Sequence, residues 1–160
     1  MPPFLNIVVI EVMALDTREL FARLIKCEAG GEGLDGMRAV ATVVMNRVHV
    51  ANGEYQRVNQ GSLRRVMEQP YQFTCMLTQV YGEPNTQNVW TATPEDIHYE
   101  VADWAIQNGV FSGVGSSSLW YMNPFNPNCP GYFPYNKSGY WLTRINEHCF
   151  YNPTAAYADT

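Results

Sequence analysis

The chain of 160 residues is the length of one domain, and its 46% hydrophobic and 13% aromatic residues can supply a buried core. Charged residues make up only 16%, the net charge is −5, and no block of Lys or Arg stands out, which argues against a nucleic-acid-binding protein. Ten Tyr, seven Phe and four Trp, with many Asn and Gln, favour a polar, uncharged ligand such as a sugar, although the same aromatic residues can also fill a core.

The first fifteen residues are interpreted as a leader segment, followed by one domain at 16–152 and a C-terminal tail at 153–160. The leader contains an apolar run, residues 7–15, which Glu11 interrupts and which no Lys or Arg precedes. Such a run is too short to span a bilayer, and a signal peptide begins with positive charge. We therefore expect neither a membrane span nor a recognisable signal peptide.

Two helices are predicted in the first third of the chain. Asp16 suits the cap of the first helix, with Glu19 three residues later as in a capping box, and apolar residues then recur at helical spacing. Gly30-Gly31 is predicted to end this helix, because glycine tolerates a left-handed cap. A second helix is predicted from about residue 35 to about residue 50. Its sequence GMRAVATVVMN carries little charge, which indicates a central position.

The middle of the chain is predicted to alternate loops with short elements. In order, these are a polar loop at 51–61, a short helix at 62–69, an extended aromatic segment at 70–75 and a second loop at 82–92. Thr93 and Pro94 suit the cap and first position of a longer helix, which Gly109 ends.

The last third of the chain is predicted to form strands. They lie at 118–123, 140–145 and 148–151, and the loop at 124–139 is rich in Pro, Gly, Asn and aromatic residues. Helices first and strands last predict an α+β fold with a small C-terminal antiparallel sheet.

The four cysteines, Cys27, Cys75, Cys129 and Cys149, lack the CxxC spacing of zinc sites, so we expect no metal. An even number permits two disulfides in three pairings. Cys27 and Cys75 stand among apolar residues and could instead be buried thiols. The sequence leaves their redox state open.

Glu28 is the first candidate for chemistry. With Leu20 and Leu24 it falls on one face of the first helix, so its carboxyl continues the apolar stripe. Burial raises the pKa of a carboxyl, and the negative end of the helix dipole acts in the same direction. A carboxyl that keeps its proton near neutral pH can serve as the general acid that cleaves a glycosidic bond.

Two other interpretations of this stretch remain open. Glu28 could form a surface ion pair with Arg23, Lys26 or Arg47. Glu32, beyond the glycines, could be a second carboxylate of the site, a residue that orients the first, or a solvated side chain.

A cysteine nucleophile is a competing hypothesis. Cys27 or Cys75 paired with His148 would indicate a peptidase or amidase. Reactive cysteines usually lie at helix N-termini, where the dipole lowers the thiol pKa. Cys27 lies at a predicted helix end and Cys75 in an extended segment, so this hypothesis is disfavoured.

The chain resembles the SleB/CwlJ-type cell wall hydrolases, the spore cortex-lytic enzymes, and it is closer to the CwlJ type. The resemblance covers roughly residues 19–151, in motifs that keep the family's order. They are LFARLIKCEAGGEG (20–33), GMRAVATVVMNRV (36–48), VMEQPYQFTC (66–75), VADWAIQNGV (101–110), SLWYMNP (118–124) and TRINEHCFY (143–151). One departure is Gly30, where the family's E-A-R-G-E helix end has arginine.

The resemblance implies a lysozyme- or lytic-transglycosylase-like fold and cleavage of peptidoglycan. The bond is the β-1,4 link from N-acetylmuramic acid to N-acetylglucosamine, and spore cortex during germination is the implied setting. Glu28 would be the catalytic acid of a lytic transglycosylase, and Glu32 the second carboxylate. Candidate residues for stacking on sugars or bonding to them are Tyr71, Gln72, Phe73, Tyr121, Asn123, Trp141 and His148.

The expected partners follow from the same resemblance. They are peptidoglycan glycan strands and, as a candidate, a spore coat protein, with the chain acting as a monomer without cofactor in spore coat, cortex or cell wall. A phage-type endolysin or muramidase with the same domain is an alternative function. A glycan-binding coat protein without catalytic activity is another.

Overall fold

The computed structural model describes residues 15–160, so the predicted leader lies outside the described residues except for Leu15. The helices in this range are α1 (Thr17–Ala29), α2 (Gly33–His49), α3 (Gly53–Asn59), α4 (Leu63–Glu68), α5 (Asp96–Ile106) and α6 (Ala155–Ala158), with a 3-10 turn at Thr74–Met76. The strands are β1 (Gln79–Val80), β2 (Glu83–Pro84), β3 (Trp120–Met122), β4 (Gly139–Ile145) and β5 (His148–Pro153). In this part of the chain no helix is both long and apolar enough to cross a bilayer.

Helix α2 is the centre of the molecule, as its sequence predicts. Its side chains are buried almost all round from Gly36 to Val48, and α1 and α5 pack against it. Helix α1 begins at the predicted cap, where Asp16 Oδ1 accepts the backbone N–H of Glu19 at 2.7 Å. The apolar stripe of α1 therefore faces the core.

Helix α1 ends before Gly30 as predicted, but the conformation of its cap and the start of α5 differ from the prediction. Gly30 follows α1 with φ −59°, so the cap is right-handed, and the left-handed glycine is Gly33 at φ +73°, where α2 begins. Helix α5 is capped by Glu95 and not by Thr93. Two reciprocal hydrogen bonds form a capping box at this start. The Glu95 side chain accepts the backbone N–H of His98, and His98 Nδ1 accepts the backbone N–H of Glu95 at 2.9 Å.

The two predicted loops contain regular structure. Residues 51–61 include α3, and 79–84 form the β1–β2 hairpin, which reaches into the predicted loop at 82–92. Helix α3 is held by the end of the chain: Glu54 N–H donates to Thr160 Oγ1 at 2.7 Å, and Tyr157 Oη donates to the Asn52 carbonyl at 2.9 Å. The predicted tail, 153–160, thus folds into α6 and packs on α3. These contacts join residues that are far apart in the sequence, so no local sequence pattern predicts them.

The C-terminal strands form the expected antiparallel sheet in the order β3-β5-β4. Trp120 of β3 pairs with Tyr151 of β5, and residues 148–151 of the central strand are buried. Helix α2 anchors the segment that enters β3, since Arg47 Nε donates to the Leu119 carbonyl at 2.7 Å and Asn46 Nδ2 to that of Ser118 at 2.9 Å. The sheet is therefore fixed against the central helix beside the end of α1.

All four cysteines form disulfides. Cys27 near the end of α1 pairs with Cys75 in the 3-10 turn, and Cys129 of the long loop pairs with Cys149 of β5. The buried-thiol interpretation is therefore wrong. The cysteine-nucleophile hypothesis fails as well, because no thiol is free.

The two disulfides should differ in their contribution to stability. They close loops of 48 and 20 residues, and the larger loop loses more conformational entropy in the unfolded state. We expect the pair Cys27→Ser/Cys75→Ser to lower the free energy of unfolding by about 4 kcal/mol and Cys129→Ser/Cys149→Ser by about 3 kcal/mol. Urea unfolding of both variants and of the parent measures this, and unchanged midpoints in either variant would contradict the pairing.

Candidate active site

A cleft of about 620 Å³, which we call the larger cleft, opens at the C-terminal end of α1. It brings together Glu28, Glu32 and Asn123, three of the residues predicted for the site. The other lining residues are Lys26, Cys27, Ala29, Gly30, Gly31, Met37, Gln87, Glu95, Ile97, His98 and Glu147. Gly31 leaves open space beside the cleft, because a Cβ at this position would have no neighbour within 4 Å.

The pKa of the Glu28 carboxyl suits a general acid that acts near neutral pH. Burial raises its pKa from 4.5 to about 7, while Tyr121 and then Arg47 act in the opposite direction. The raised pKa agrees with the expectation from the stripe that Leu20 and Leu24 begin. Both of those side chains are fully buried.

The alternative of a surface ion pair for Glu28 is wrong. Arg23 pairs with Glu19 at 3.2 Å, and Lys26 Nζ lies 3.6 Å from Glu95 Oε1. Glu28 has no salt bridge within residues 15–160. The protonation of Glu28 therefore depends on burial, which favours the neutral form, and on Tyr121 and Arg47, which favour the carboxylate, and not on a solvated cation.

Tyr121 is the neighbour with the larger effect on the Glu28 pKa. It lies on β3, its buried hydroxyl makes no regular hydrogen bond with residues 15–160, and its interaction with Glu28 lowers the pKa of that carboxyl. Its ring packs edge-on against His148 at 5.1 Å and near Phe150 at 6.1 Å. The structure thus places Tyr121 beside the acid, where sequence reasoning had proposed a sugar-stacking platform.

Arg47 is the second neighbour, and sequence reasoning considered it only as a surface ion-pair partner. The side chain is 5% exposed, and its guanidinium lies over the rings of Tyr55 at 4.7 Å and Phe73 at 5.1 Å. Its Nη1 is buried without a hydrogen-bond partner among the described residues. Arg47, like Arg38, interrupts the apolar sequence of α2, and an arginine in such a helix was the available indication of a buried charge.

Glu32 has a fixed position, which its place after two glycines did not predict. Its Oε1 lies 3.3 Å from His148 Nδ1, and its backbone carbonyl accepts a hydrogen bond from Asn146 Nδ2 at 2.7 Å. Burial lowers the pKa of His148, so the imidazole is neutral at pH 7. Glu32 therefore joins the start of α2 to the β4–β5 turn while its side chain lines the larger cleft.

Tyr71 and Gln72 lie in a second cavity, the smaller pocket, of about 310 Å³. Its other lining residues are Arg47, Glu54, Tyr55, Trp120, Tyr121, Phe133, Pro134 and Tyr135. The Gln72 side-chain carbonyl accepts the Tyr55 hydroxyl at 2.8 Å, and Tyr71 is 95% exposed. Tyr121 lines this pocket and interacts with Glu28, which lines the larger cleft, so this pair of residues connects the two cavities.

Three of the predicted binding residues line neither cavity: Phe73, Trp141 and His148, whose ring packs against Tyr121 and lies beside Glu32. Phe73 is 3% exposed in the helical core, so its ring has no free face for a sugar. Trp141 is half exposed on β4 and lines neither the larger cleft nor the smaller pocket. Sequence pattern alone could not separate these cases, because core and surface aromatics look alike in it.

A family model described as Cell Wall Hydrolase matches residues 31–151. The matched range includes Glu32, and Glu28 lies just before it. The chain is 31% identical to the cell wall hydrolase CwlJ of Bacillus subtilis over 137 residues, which cover 86% of this chain and 85% of that protein. CwlJ of Halalkalibacterium halodurans is 31% identical over 139 residues, 86% of each chain.

Two solved structures share the fold. The catalytic domain of the germination-specific lytic transglycosylase SleB from Bacillus anthracis superposes with a TM-score of 0.59 at 22% identity, covering 85% of this chain and 93% of that one. The catalytic domain of SleB from Bacillus cereus gives 0.59 at 25% identity, covering 85% and 89%. The predicted α+β fold and the resemblance inferred from the motifs are confirmed.

The raised pKa of Glu28 should appear in the stability of the protein. Between pH 4.5 and about 7 the unfolded chain ionises Glu28 while the folded chain keeps the proton, so stability falls with rising pH in this window. Glu28→Gln removes this loss of stability, and we expect the variant to be more stable than the parent above pH 7 by roughly 3 kcal/mol.

Urea unfolding of both proteins from pH 4 to 8 measures the difference. The two free energies should converge below pH 4.5, where the carboxyl is protonated in both states. Glu100→Gln, on the exposed face of α5, is the matched control and should show no such divergence. A difference between parent and Glu28→Gln that stays constant across the whole pH range would contradict the raised pKa.

Proposed function

Because this chain belongs to the Cell Wall Hydrolase family, we propose that it cleaves the glycan strands of peptidoglycan with Glu28 as the general acid. The observation that carries this proposal is a carboxyl with a pKa of about 7 in the wall of a 620 Å³ cleft. Such a group is protonated in a large fraction of molecules at neutral pH and can also accept a proton once it has ionised. A single side chain can therefore serve both halves of a cleavage reaction.

The first half of the reaction breaks the glycosidic bond. The bond is the β-1,4 link between N-acetylmuramic acid and N-acetylglucosamine, and Glu28 gives its proton to the bridging oxygen as the bond to muramic C1 lengthens. Positive charge develops at C1, and the new Glu28 carboxylate stabilises it. The proximity of Tyr121 and Arg47 supports this step, since both favour the carboxylate form of Glu28.

The second half determines the product. In a lytic transglycosylase the muramate 6-hydroxyl attacks C1 and Glu28 removes its proton, which yields a 1,6-anhydro end. In a hydrolase a water molecule attacks, and a second carboxylate usually activates it. Glu32 is the candidate for that role, but its Oε1 faces the His148 imidazole at 3.3 Å and its Oε2 faces the Glu147 backbone N–H at 3.4 Å. These contacts favour the transglycosylase route, with Glu32 as a positioning residue.

The glycan strand would extend to both sides of the acid. The larger cleft offers Asn123 and open backbone at Gly31, and the smaller pocket offers Tyr71 and Gln72. Tyr71 is 95% exposed, so its ring is free to contact a ligand. This ring is the candidate platform on which a sugar of the strand stacks.

The proposed setting is spore cortex during germination, in the coat, cortex or cell wall. The curated relatives are named cell wall hydrolases, and one structural neighbour is named germination-specific. At 22% identity that neighbour supports the fold alone, so the transglycosylase outcome depends on the contacts of Glu32 and on Glu28. A spore coat protein as a partner is part of the same proposal.

Glu28→Gln should lose cleavage of purified spore cortex by at least about a thousandfold, because glutamine cannot donate the proton. Glu32→Gln should retain measurable activity, since Glu32 acts through its contacts. The exposed Glu100→Gln is the control and should match the parent. Release of soluble muropeptides measures all four proteins.

Mass spectrometry of the products then identifies the route. The parent should release 1,6-anhydro ends, which are lighter by one water than reducing ends. Reducing muramic ends would instead identify a muramidase, and binding to cortex without release would indicate a glycan-binding protein. Full activity of Glu28→Gln would contradict the central role of Glu28.

A further inference from the structure

We propose that His98 is a substrate-binding residue that donates a hydrogen bond from Nε2 to the carbonyl oxygen of an N-acylated sugar in the larger cleft. This inference rests on the proposed function, because it assigns a contact to the glycan that Glu28 cleaves. His98 lies on α5, far from Glu28 in the sequence, but both side chains line the larger cleft.

The fold fixes the orientation of the His98 ring. The side chain is 5% exposed, and Nδ1 accepts the backbone N–H of Glu95 at 2.9 Å in the capping box that begins α5. A nitrogen that accepts a hydrogen bond carries no hydrogen, so the proton of the neutral ring must lie on Nε2. Burial, with Lys26 nearby, lowers the pKa of His98, which keeps the ring in this neutral form at pH 7.

The Nε2 donor remains available. It makes no hydrogen bond with residues 15–160, and it is not one of the buried polar atoms that lack a partner. The ring is otherwise enclosed, and His98 lines the larger cleft, so the N–H opens into that cleft. A donor held on a packed helix, with its tautomer set by the backbone, is preorganised to bind an acceptor.

The charge around the larger cleft defines that acceptor. Glu32, Glu95 and Glu147 line it, and the cation among its lining residues is Lys26. The Lys26 ammonium already donates to the Thr93 carbonyl at 2.5 Å and lies 3.6 Å from Glu95. An anionic group such as a stem-peptide carboxylate would meet net repulsion there, whereas a neutral carbonyl would not. The N-acyl carbonyl is the neutral acceptor that an amino sugar of a glycan strand presents.

Two substitutions separate the donor from the helix cap. His98→Asn keeps an oxygen near the position of Nδ1 and so keeps the cap, but it loses the Nε2 donor. His98→Gln places an amide N–H near the position of Nε2 and restores the donor at the expense of the cap. Both are made in the Glu28→Gln background, so that binding is measured without turnover, and thermal unfolding checks that each variant folds.

Calorimetric titration with the hexamer of N-acetylglucosamine measures the contact, and its fully deacetylated hexamer is the matched ligand without carbonyls. We expect His98→Asn to weaken binding of the acetylated hexamer by about fivefold, the usual value of one hydrogen bond to a neutral acceptor. His98→Gln should stay within about twofold of the Glu28→Gln background. Binding of the deacetylated hexamer should be the same for all three proteins.

Unchanged affinity of His98→Asn for the acetylated hexamer would overturn the inference. So would an equal loss for both hexamers, which would indicate a structural effect, and so would failure of the Glu28→Gln background to bind the acetylated hexamer. These outcomes are distinct from failure of the proposed function. If the proposed function alone were wrong, His98-dependent binding of the hexamer would persist while the parent protein released no fragments from cortex.

Discussion

The organisation of this protein depends on the burial of one carboxyl, that of Glu28 at the C-terminal end of α1. Burial in this position raises the Glu28 pKa to about 7, so the folded chain carries a proton that the unfolded chain would release. This arrangement costs stability at neutral pH, because ionisation favours the unfolded state there. The surrounding elements must therefore hold the end of α1 in place, and several of them do so from distant parts of the sequence.

Three connections converge on that end of α1. The Cys27–Cys75 disulfide links it to the 3-10 turn, and Tyr121 of β3 contacts the Glu28 carboxyl. Arg47 of the central helix donates to the Leu119 carbonyl beside β3, and its charge limits the rise of the Glu28 pKa. Burial alone would raise the pKa of Glu28 further. Tyr121 and Arg47 lower this pKa into the range in which one carboxyl can act first as an acid and then as a base.

Local pattern predicted the parts of the molecule that local interactions determine. The Asp16 cap, the stripe that places Glu28 towards the core, the central helix and the C-terminal sheet follow from spacing and capping, and they are confirmed. Helix α3 was missed because the end of the chain holds it, through Tyr157 and Thr160. The start of α5 was misplaced because a glutamate–histidine capping box prevailed over a Thr-Pro pattern. The disulfide pairing and the neighbours of Glu28 required the three-dimensional fold.

The pKa of Glu28 is the quantity on which this account depends, and carbon-detected NMR of protein labelled at glutamate side chains measures it directly. The Glu28→Gln variant identifies the resonance, and titration of the parent should give a midpoint near 7. The midpoint should rise further in Tyr121→Phe, because that substitution removes the hydroxyl that favours the carboxylate. A midpoint near 4.5 in the parent would contradict the account, since Glu28 would then hold no proton to donate at neutral pH.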